Sequence, residues 1–444
     1  MTKYKYPKRV SFINFVVKSS EIAKNPIPFH KEMFVASGES FSIKTPFNAP
    51  IILTKDAKIA KHILQKQHKL YEKSKLQTKF LSKYLGYGLL TSTGSYWLKQ
   101  RRLIQPAFHK DKLKQLVAII DTTINEQVNS FPTDKMEELY PLMNTLAFEV
   151  VAKSLFNFSS NQNTLNRLQF IIAELQNFIV KEIRQPHKRL WYHLKGDMKY
   201  HQKMVKESRE IIENIIIQRR ASKEQHDDLL DMLLKAEYED GSHMSNNQLI
   251  DEILILFVAG HETTANALTF TLFLLATNPK ELAKAKANSL PVTDATQAFD
   301  ALPKLTYIKQ CVEEGMRLYP SAWITDRVAL EDDTLGEFHI KKGTLLGVSI
   351  FEMHRNPKYW DTPEMFNPDR FSEENRKSTA FAYMPFGAGP RLCIGNNFAM
   401  FEMMLAINAI LQKFEISTNK AEVKINPLIT LKPVDVEMSF YPIH

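Results

Sequence analysis

From about Lys112 to Lys235 apolar residues return every three or four positions, the period of an amphipathic helix, with interruptions near Pro132, Asn161 and Pro186. Several helices joined by loops are predicted there. A longer apolar run, Leu249 to Ala276, follows, interrupted by Asp251, Glu252, His261 and Glu262. Ser245 with Gln248 three residues on forms a capping box at its start, and Pro279 stops it. Charges inside so apolar a run predict a helix crossing a protein core rather than a membrane. Elsewhere the period shortens. Ser40 to Lys44 and Pro50 to Thr54 alternate around Pro46 and Asn48 and predict a hairpin, and Asp56 to Gln67 predicts a helix with Ile59, Ile63 and Leu64 on one face. After Pro320 come strand-like pieces, Arg327 to Leu330, Phe338 to Ile340 and Leu345 to Ile350, with turns at Gly336 and Gly343. The expectation is a mainly α chain with a smaller β region, its β-rich segments near 38–54 and 323–350, forming a single domain over 1–444.

Composition narrows this. A chain of 444 residues, 44% hydrophobic, can bury a large core, and it shows no internal repeat or low-complexity tract. Its two cysteines, Cys311 and Cys393, exclude a disulfide scaffold and fit a reducing, cytoplasmic setting. Lys3, Lys5, Lys8 and Arg9 precede an apolar stretch, Phe12 to Val17, that is too short to span a bilayer and lacks a small-residue cleavage site. A soluble protein without a membrane anchor is expected. The net charge is +9, but basic residues are scattered among acidic ones and no aromatic-rich module appears, so an acidic protein partner is expected rather than nucleic acid. The densest basic stretch, Lys181 to Lys206, reads as a solvated helix face.

The chemistry concentrates in Phe386-Gly387-Ala388-Gly389-Pro390-Arg391-Leu392-Cys393-Ile394-Gly395. Gly387, Gly389 and Gly395 are three of only 14 glycines, placed where a loop would approach a flat cofactor closely, and Arg391 sets a fixed cation two residues before the sulfur. Such a loop suits a thiolate ligand to a haem iron, its backbone N–H groups supplying donors to the sulfur. The competing reading is an inert buried cysteine. Zinc is disfavoured because no second cysteine or histidine lies near Cys393, and a dinucleotide loop because Leu392 stands where that fingerprint needs its third glycine.

Other clusters add to it. Ala259-Gly260-His261-Glu262-Thr263-Thr264 lies within the long predicted helix; the small pair Ala259-Gly260 would let it open and admit a ligand, beside an acid and a hydroxyl. His261-Glu262 does not continue as a zinc-protease motif, since Ala265 stands at the second ligand position. Trp97 and Arg101, four apart on one helix face, suit the grip of a carboxylate, the alternative being an ordinary amphipathic helix. At about 100° per residue, Glu252, Leu256, Ala259 and Thr263 share a helix face, so Glu252 either reads a hydroxyl or cation on a substrate or makes a salt bridge to a neighbouring helix. Cys311, His109 and His354 read as structural.

The loop matches F-x-x-G-x-R-x-C-x-G through Phe386, Gly389, Arg391, Cys393 and Gly395, and so resembles the haem-binding loop of cytochrome P450 monooxygenases. Ala259 to Thr264 is similar to that family's A-G-x-[DE]-T-T, Glu314 to Arg317 to its E-x-x-R, Trp97 to Arg101 to its W-x-x-x-R, and Phe366 to Phe371 to its P-E-R-F region, with Asp369 replacing a glutamate. The resemblance, from about Tyr71 to the C-terminus, implies the P450 fold and haem b with Cys393 on the iron. It implies Thr263 and Glu262 as the catalytic pair of oxygen activation and proton delivery, and Glu314, Arg317 and Arg370 as a structural network. Haem contacts implied are Phe386, Ala259 and Gly260, with Trp97, Arg101, Arg327, Arg391 and, more weakly, Lys73 toward the propionates. Family position adds Leu90, Ser321, Ala322, Trp323 and Leu431 to Glu252, Leu256 and Ala259 as substrate-pocket residues.

Gly88 to Ser92 and the Ala-Gly-His-Glu-Thr-Thr form look like the soluble bacterial members related to fatty-acid and carotenoid hydroxylases. With no reductase domain expected, two electrons would come from a ferredoxin or flavodoxin with its reductase, to a monomer that hydroxylates or O-demethylates a small molecule: a fatty acid, a terpenoid or a methoxylated sugar. A peroxide-driven peroxygenase and a non-catalytic haem sensor are the alternatives, and the Glu262-Thr263 pair argues for oxygen activation.

Overall fold

The computed structural model describes residues 4–44, 50–158, 162–222, 224, 226, 228–376 and 380–443, the side chain of Phe12 excepted. The turn residues Pro46 and Asn48 and the break at Asn161 lie outside the described residues. The chain is mostly helical with a smaller strand content and forms two compact units, one of residues 1–75, 313–393 and 425–432, the other of residues 76–312, 394–424 and 433–444.

The first unit is built on a five-stranded sheet in the order Ser40–Ile43, Ile51–Thr54, Leu345–Ser349, Ile324–Ala329, Tyr71–Glu72. The predicted hairpin is there, antiparallel, with Ser40 opposite Thr54. Ile51–Thr54 then runs parallel to Leu345–Ser349, which needs a long crossover that local alternation in the sequence does not announce. Asp56 caps the helix Ala57–Lys61 by accepting from the Lys58 and Ile59 amides at 2.6 and 3.3 Å. The expected helix then continues as a π turn, His62–Lys66. Its apolar side, Ile59, Ile63 and Leu64, joins a core with Leu346, Val348, Trp360, Met384 and Ala388.

Beneath that core lies an ion-pair network. Glu314 and Arg317 are fully buried and joined by two hydrogen bonds, Nε to Oε2 at 2.7 Å and Nη2 to Oε1 at 2.9 Å. The remaining guanidinium donors go to the carbonyls of His354, Pro363 and Met365 at 2.8, 2.7 and 3.2 Å. Glu314 Oε1 also accepts from the Asn367 amide and from Arg370 Nε. Asp369 lies in the short turn beside Arg370, its amide donating to Asn367 Oδ1 at 3.2 Å, and the bonds of Glu314 to Arg317 and Arg370 are formed with aspartate at this position.

In the second unit the long helix spans Asn246–Thr277 with the Ser245/Gln248 capping box formed. Its core position follows from packing: Phe257 stacks on Phe156 and meets Phe148 at a tilt, and Gly260 admits Val151 of the helix Leu139–Phe156, whose Cγ2 lies 2.9 Å from where a Cβ would stand. Helices Lys110–Asn129, Gln162–Arg184, Asp197–Ala221 and Asn396–Lys413 complete the body. The sequence reading omitted a three-stranded antiparallel sheet in which Glu437–Pro442 pairs with both Met136–Glu138 and Phe414–Ser417.

Removing one partner of a buried ion pair strands the other charge. Arg317→Leu is therefore expected to lower unfolding stability by about 3–5 kcal/mol. Arg102→Ala, at an exposed pair with Glu239, should change it by no more than about 0.5 kcal/mol. Denaturant midpoints of the two variants check the contrast.

Candidate active site

The cysteine loop in the first unit is hung from the buried network by a run of hydrogen bonds. Arg317 holds the carbonyl of His354; His354 in turn accepts the Met384 amide at Nε2, 2.9 Å, and stacks on Tyr383. Burial and the nearby Arg317 charge push the His354 imidazole down to about 3, so it stays neutral and able to accept. Met384 O accepts from the Gly387 amide, and Phe386 O accepts from the Cys393 amide at 3.0 Å, closing the loop. Gly387 and Gly389 have φ of +73° and +70°. Gly389 is required twice over, because a Cβ there would stand 1.9 Å from the Leu64 carbonyl oxygen. Gly395 has an ordinary φ of −95° and needs no such freedom. The result is an exposed Cys393, while Cys311 is buried.

Beside this loop the same unit gathers cations. Lys73 is only half-buried by solvent exposure, yet its ammonium is pushed down to about 7, first by burial and then by the charges of Arg391 and Arg327, with Asp326 opposing. Burial also lowers Arg327, whose guanidinium donates to the Asp326 carbonyl at 2.6 Å. Asp326 accepts from the Ser74 amide and hydroxyl at 3.2 and 2.9 Å, tying the Lys73 segment to the strand that carries Arg327. The sequence reading missed Asp326; its place beside Arg327 on an alternating strand was the available signal. Lys73, Arg327 and Arg391, opposed only in part by Asp326, leave an excess of positive charge that fits the two carboxylates of a haem.

In the second unit, the helix Gly94–Ile104 presents Trp97 and Arg101, both half-buried. The long helix is not opened at Ala259-Gly260: it runs unbroken, and Gly260 serves the contact with Val151. Thr263 Oγ1 donates to the Ala259 carbonyl at 2.8 Å and Thr264 Oγ1 to that of Gly260 at 3.0 Å. Ala259 is exposed although most of the helix around it is buried, so one small residue marks a bare spot on an otherwise covered face. Glu262 is buried near Tyr140, whose hydroxyl is raised by burial and by the Glu262 charge.

The pocket candidates divide. Leu90 and Ser321 are half-buried and Ala322 is exposed, as lining residues can be. Leu256 is buried. Leu431 is fully buried, its amide on the Ser321 carbonyl, and Trp323 is buried with its indole N–H on the Leu428 carbonyl. Glu252 also differs from expectation. Its carboxylate reaches neither solvent nor a neighbouring helix's cation but the Leu89 amide, at 2.9 Å.

A family model described as Cytochrome P450 matches residues 6–440. The chain is similar to cytochrome P450 4F6 of Rattus norvegicus, 31% identical over 382 residues, covering 80% of this chain and 71% of that protein. It is also similar to the protein LUTEIN DEFICIENT 5, chloroplastic, of Arabidopsis thaliana, 28% identical over 415 residues, covering 87% and 69% respectively. A crystal structure of a cytochrome P450, CYP102L1, superposes with a TM-score of 0.86 at 26% identity, both chains being covered in full.

Gly389→Ala should dislodge the cysteine loop from Leu64, lowering the thermal midpoint and weakening retention of haem. Gly395→Ala, which meets only the edge of Phe108 at ordinary contact distance, should be far milder. Thermal melts and haem absorbance of the purified variants compare them.

Proposed function

The chain belongs to the cytochrome P450 family of haem-thiolate monooxygenases, and from that premise we propose that it binds haem b through Cys393 and oxidises a small organic molecule by hydroxylation or O-demethylation. The overall change is RH + O2 + 2e⁻ + 2H⁺ → ROH + H2O, with the electrons brought by a ferredoxin or flavodoxin and its reductase. The observation that carries this reading is the exposed thiol of Cys393 on a rigidly hung loop, beside the Lys73, Arg327 and Arg391 cation set.

Bound haem iron supplies the centre at which dioxygen is reduced. The protein's own residues do the rest. Cys393 acts as the thiolate, and the loop's fixed geometry keeps its sulfur presented. Lys73, Arg327 and Arg391 in the first unit, and Trp97 and Arg101 in the second, are the propionate residues of this reading; an arriving carboxylate favours the charged Lys73 that burial, and then the two arginine charges, disfavour. Phe386 in the first unit, and the small residues Ala259 and Gly260 in the second, are the further haem contacts of this reading.

Thr263 holds a hydroxyl proton at Oγ1, which the Ala259 carbonyl orients. Glu262, buried beside Tyr140, is the acid that replaces it. Leu90 and Leu256 in the second unit and Ser321 and Ala322 in the first are the substrate-contacting residues of this reading, offering apolar surface and one hydroxyl to a fatty acid, a terpenoid or a methoxylated sugar. The scarcity of cysteine, two residues in the whole sequence, favours a cytoplasmic setting, and a single chain is the working unit of this reading. The one helix among the described residues that is long and apolar enough to cross a membrane, Asn246–Thr277, is mostly buried.

Turnover of the haem-loaded enzyme with ferredoxin, its reductase and NADPH should consume oxygen in both wild type and Thr263→Ala. Product formed per oxygen consumed should fall in the variant by about tenfold or more, the scale of a lost proton-transfer group. Equal coupling in the two proteins, or turnover with hydrogen peroxide alone, would count against the proposal.

A further inference from the structure

The short loop 86–92 carries Leu90 and is closed on itself. Thr91 Oγ1 donates to the Gly86 carbonyl at 2.7 Å and accepts the Gly88 amide at 3.2 Å, and the amides of Thr91 and Ser92 donate to the Gly88 carbonyl at 3.0 and 2.9 Å. Two adjacent carboxylates of the long helix grip it from outside. Asp251 Oδ2 accepts the Tyr87 amide at 2.7 Å, and Glu252 Oε2 accepts the Leu89 amide at 2.9 Å. Both glycines are there for this approach. A Cβ on Gly86 would stand 2.3 Å from Asp251 Oδ1, and one on Gly88 2.7 Å from the Glu252 carboxyl carbon.

The two carboxylates are not equivalent. Asp251 pairs with Arg209 of the helix Asp197–Ala221, which also donates to Asn247. Glu252 is fully buried, no cation pairs with it among the described residues, and its Oε1 has no hydrogen-bond partner there. The titratable groups facing it are Asp251, Tyr96 of the helix Gly94–Ile104, and Tyr238 ahead of the long helix. Both tyrosines are raised, burial first, Tyr96 to about 12, and stay neutral at ordinary pH.

We propose that Asp251 and Glu252 form a latch holding loop 86–92 against the long helix, and that the latch loosens as Glu252 loses its proton. Glu252 is thus a positioning residue for Leu90; only the consequence for substrate entry rests on the monooxygenase reading. With the loop closed, burial raises the Glu252 carboxyl to about 8; with it open and wet, the group returns to about 4.3. Closure is therefore fully favoured below the open-state value. It weakens by about tenfold per pH unit as pH rises toward the closed-state value, and weakens no further above it.

Hydrogen exchange of the haem-loaded protein, followed by mass spectrometry on the peptide spanning 86–92 and corrected for intrinsic rates, reads the latch without turnover. Wild type should lose at least tenfold in protection between pH 6 and pH 8. Glu252→Gln, neutral throughout, should show a flat profile with more protection than wild type at pH 8. A flat wild-type profile, or an unchanged slope in Glu252→Gln, overturns the latch. Gly88→Ala keeps Glu252 but presses a methyl into its carboxyl, so it should exchange fast even at pH 6; wild-type protection there would also overturn the idea. None of these outcomes depends on oxygen consumption or product coupling, so the latch and the monooxygenase reading fail separately.

Discussion

The buried bond between Glu314 and Arg317 is the constraint on which the cysteine loop depends. A guanidinium with no exposure must place its donors on acceptors, and here it does so on one carboxylate and three carbonyls drawn from residues 354–365. One of those carbonyls belongs to His354, whose ring takes the Met384 amide at the head of the loop. A fully buried charge is thereby connected, bond by bond, to the loop that presents the sulfur. This explains why so polar a cluster sits in a core: it converts a flexible glycine-rich stretch into a fixed one.

A second constraint is electrostatic. Burial first, and then the charges of Arg391 and Arg327, push the Lys73 ammonium down to about 7, and a negative ligand beside it would favour the charged form again. Haem carboxylates would do so. Cofactor retention and the protonation of Lys73 are on this account a single linked equilibrium, as binding and stability are whenever a ligand prefers the folded state.

Much of this was legible in the sequence because it is local. Phe386 to Gly395, Ala259 to Thr264 and the Glu314/Arg317 spacing each sit within one turn or loop, and the long helix announced its start at Ser245 and its stop at Pro279. What escaped was set by partners far away in the chain. Nothing near Gly260 says that Val151 will press on it, so its glycine looked like an opening in the helix. Nothing near Glu252 says that Gly88 and Leu89 will cover it, so a buried anchor looked like a substrate reader. The parallel pairing of Ile51–Thr54 with Leu345–Ser349 and the sheet joining 136–138 to 437–442 failed for the same reason.

Haem-thiolate chemistry in this chain requires the sulfur of Cys393 to be the iron ligand. The absorption spectrum of the reduced, haem-loaded protein under carbon monoxide tests that most directly. A strongly red-shifted Soret band, lost in Cys393→Ser while Cys311→Ser retains it, is the expected result. A wild-type carbonyl Soret band at the shorter wavelength of a neutral histidine ligand would contradict it.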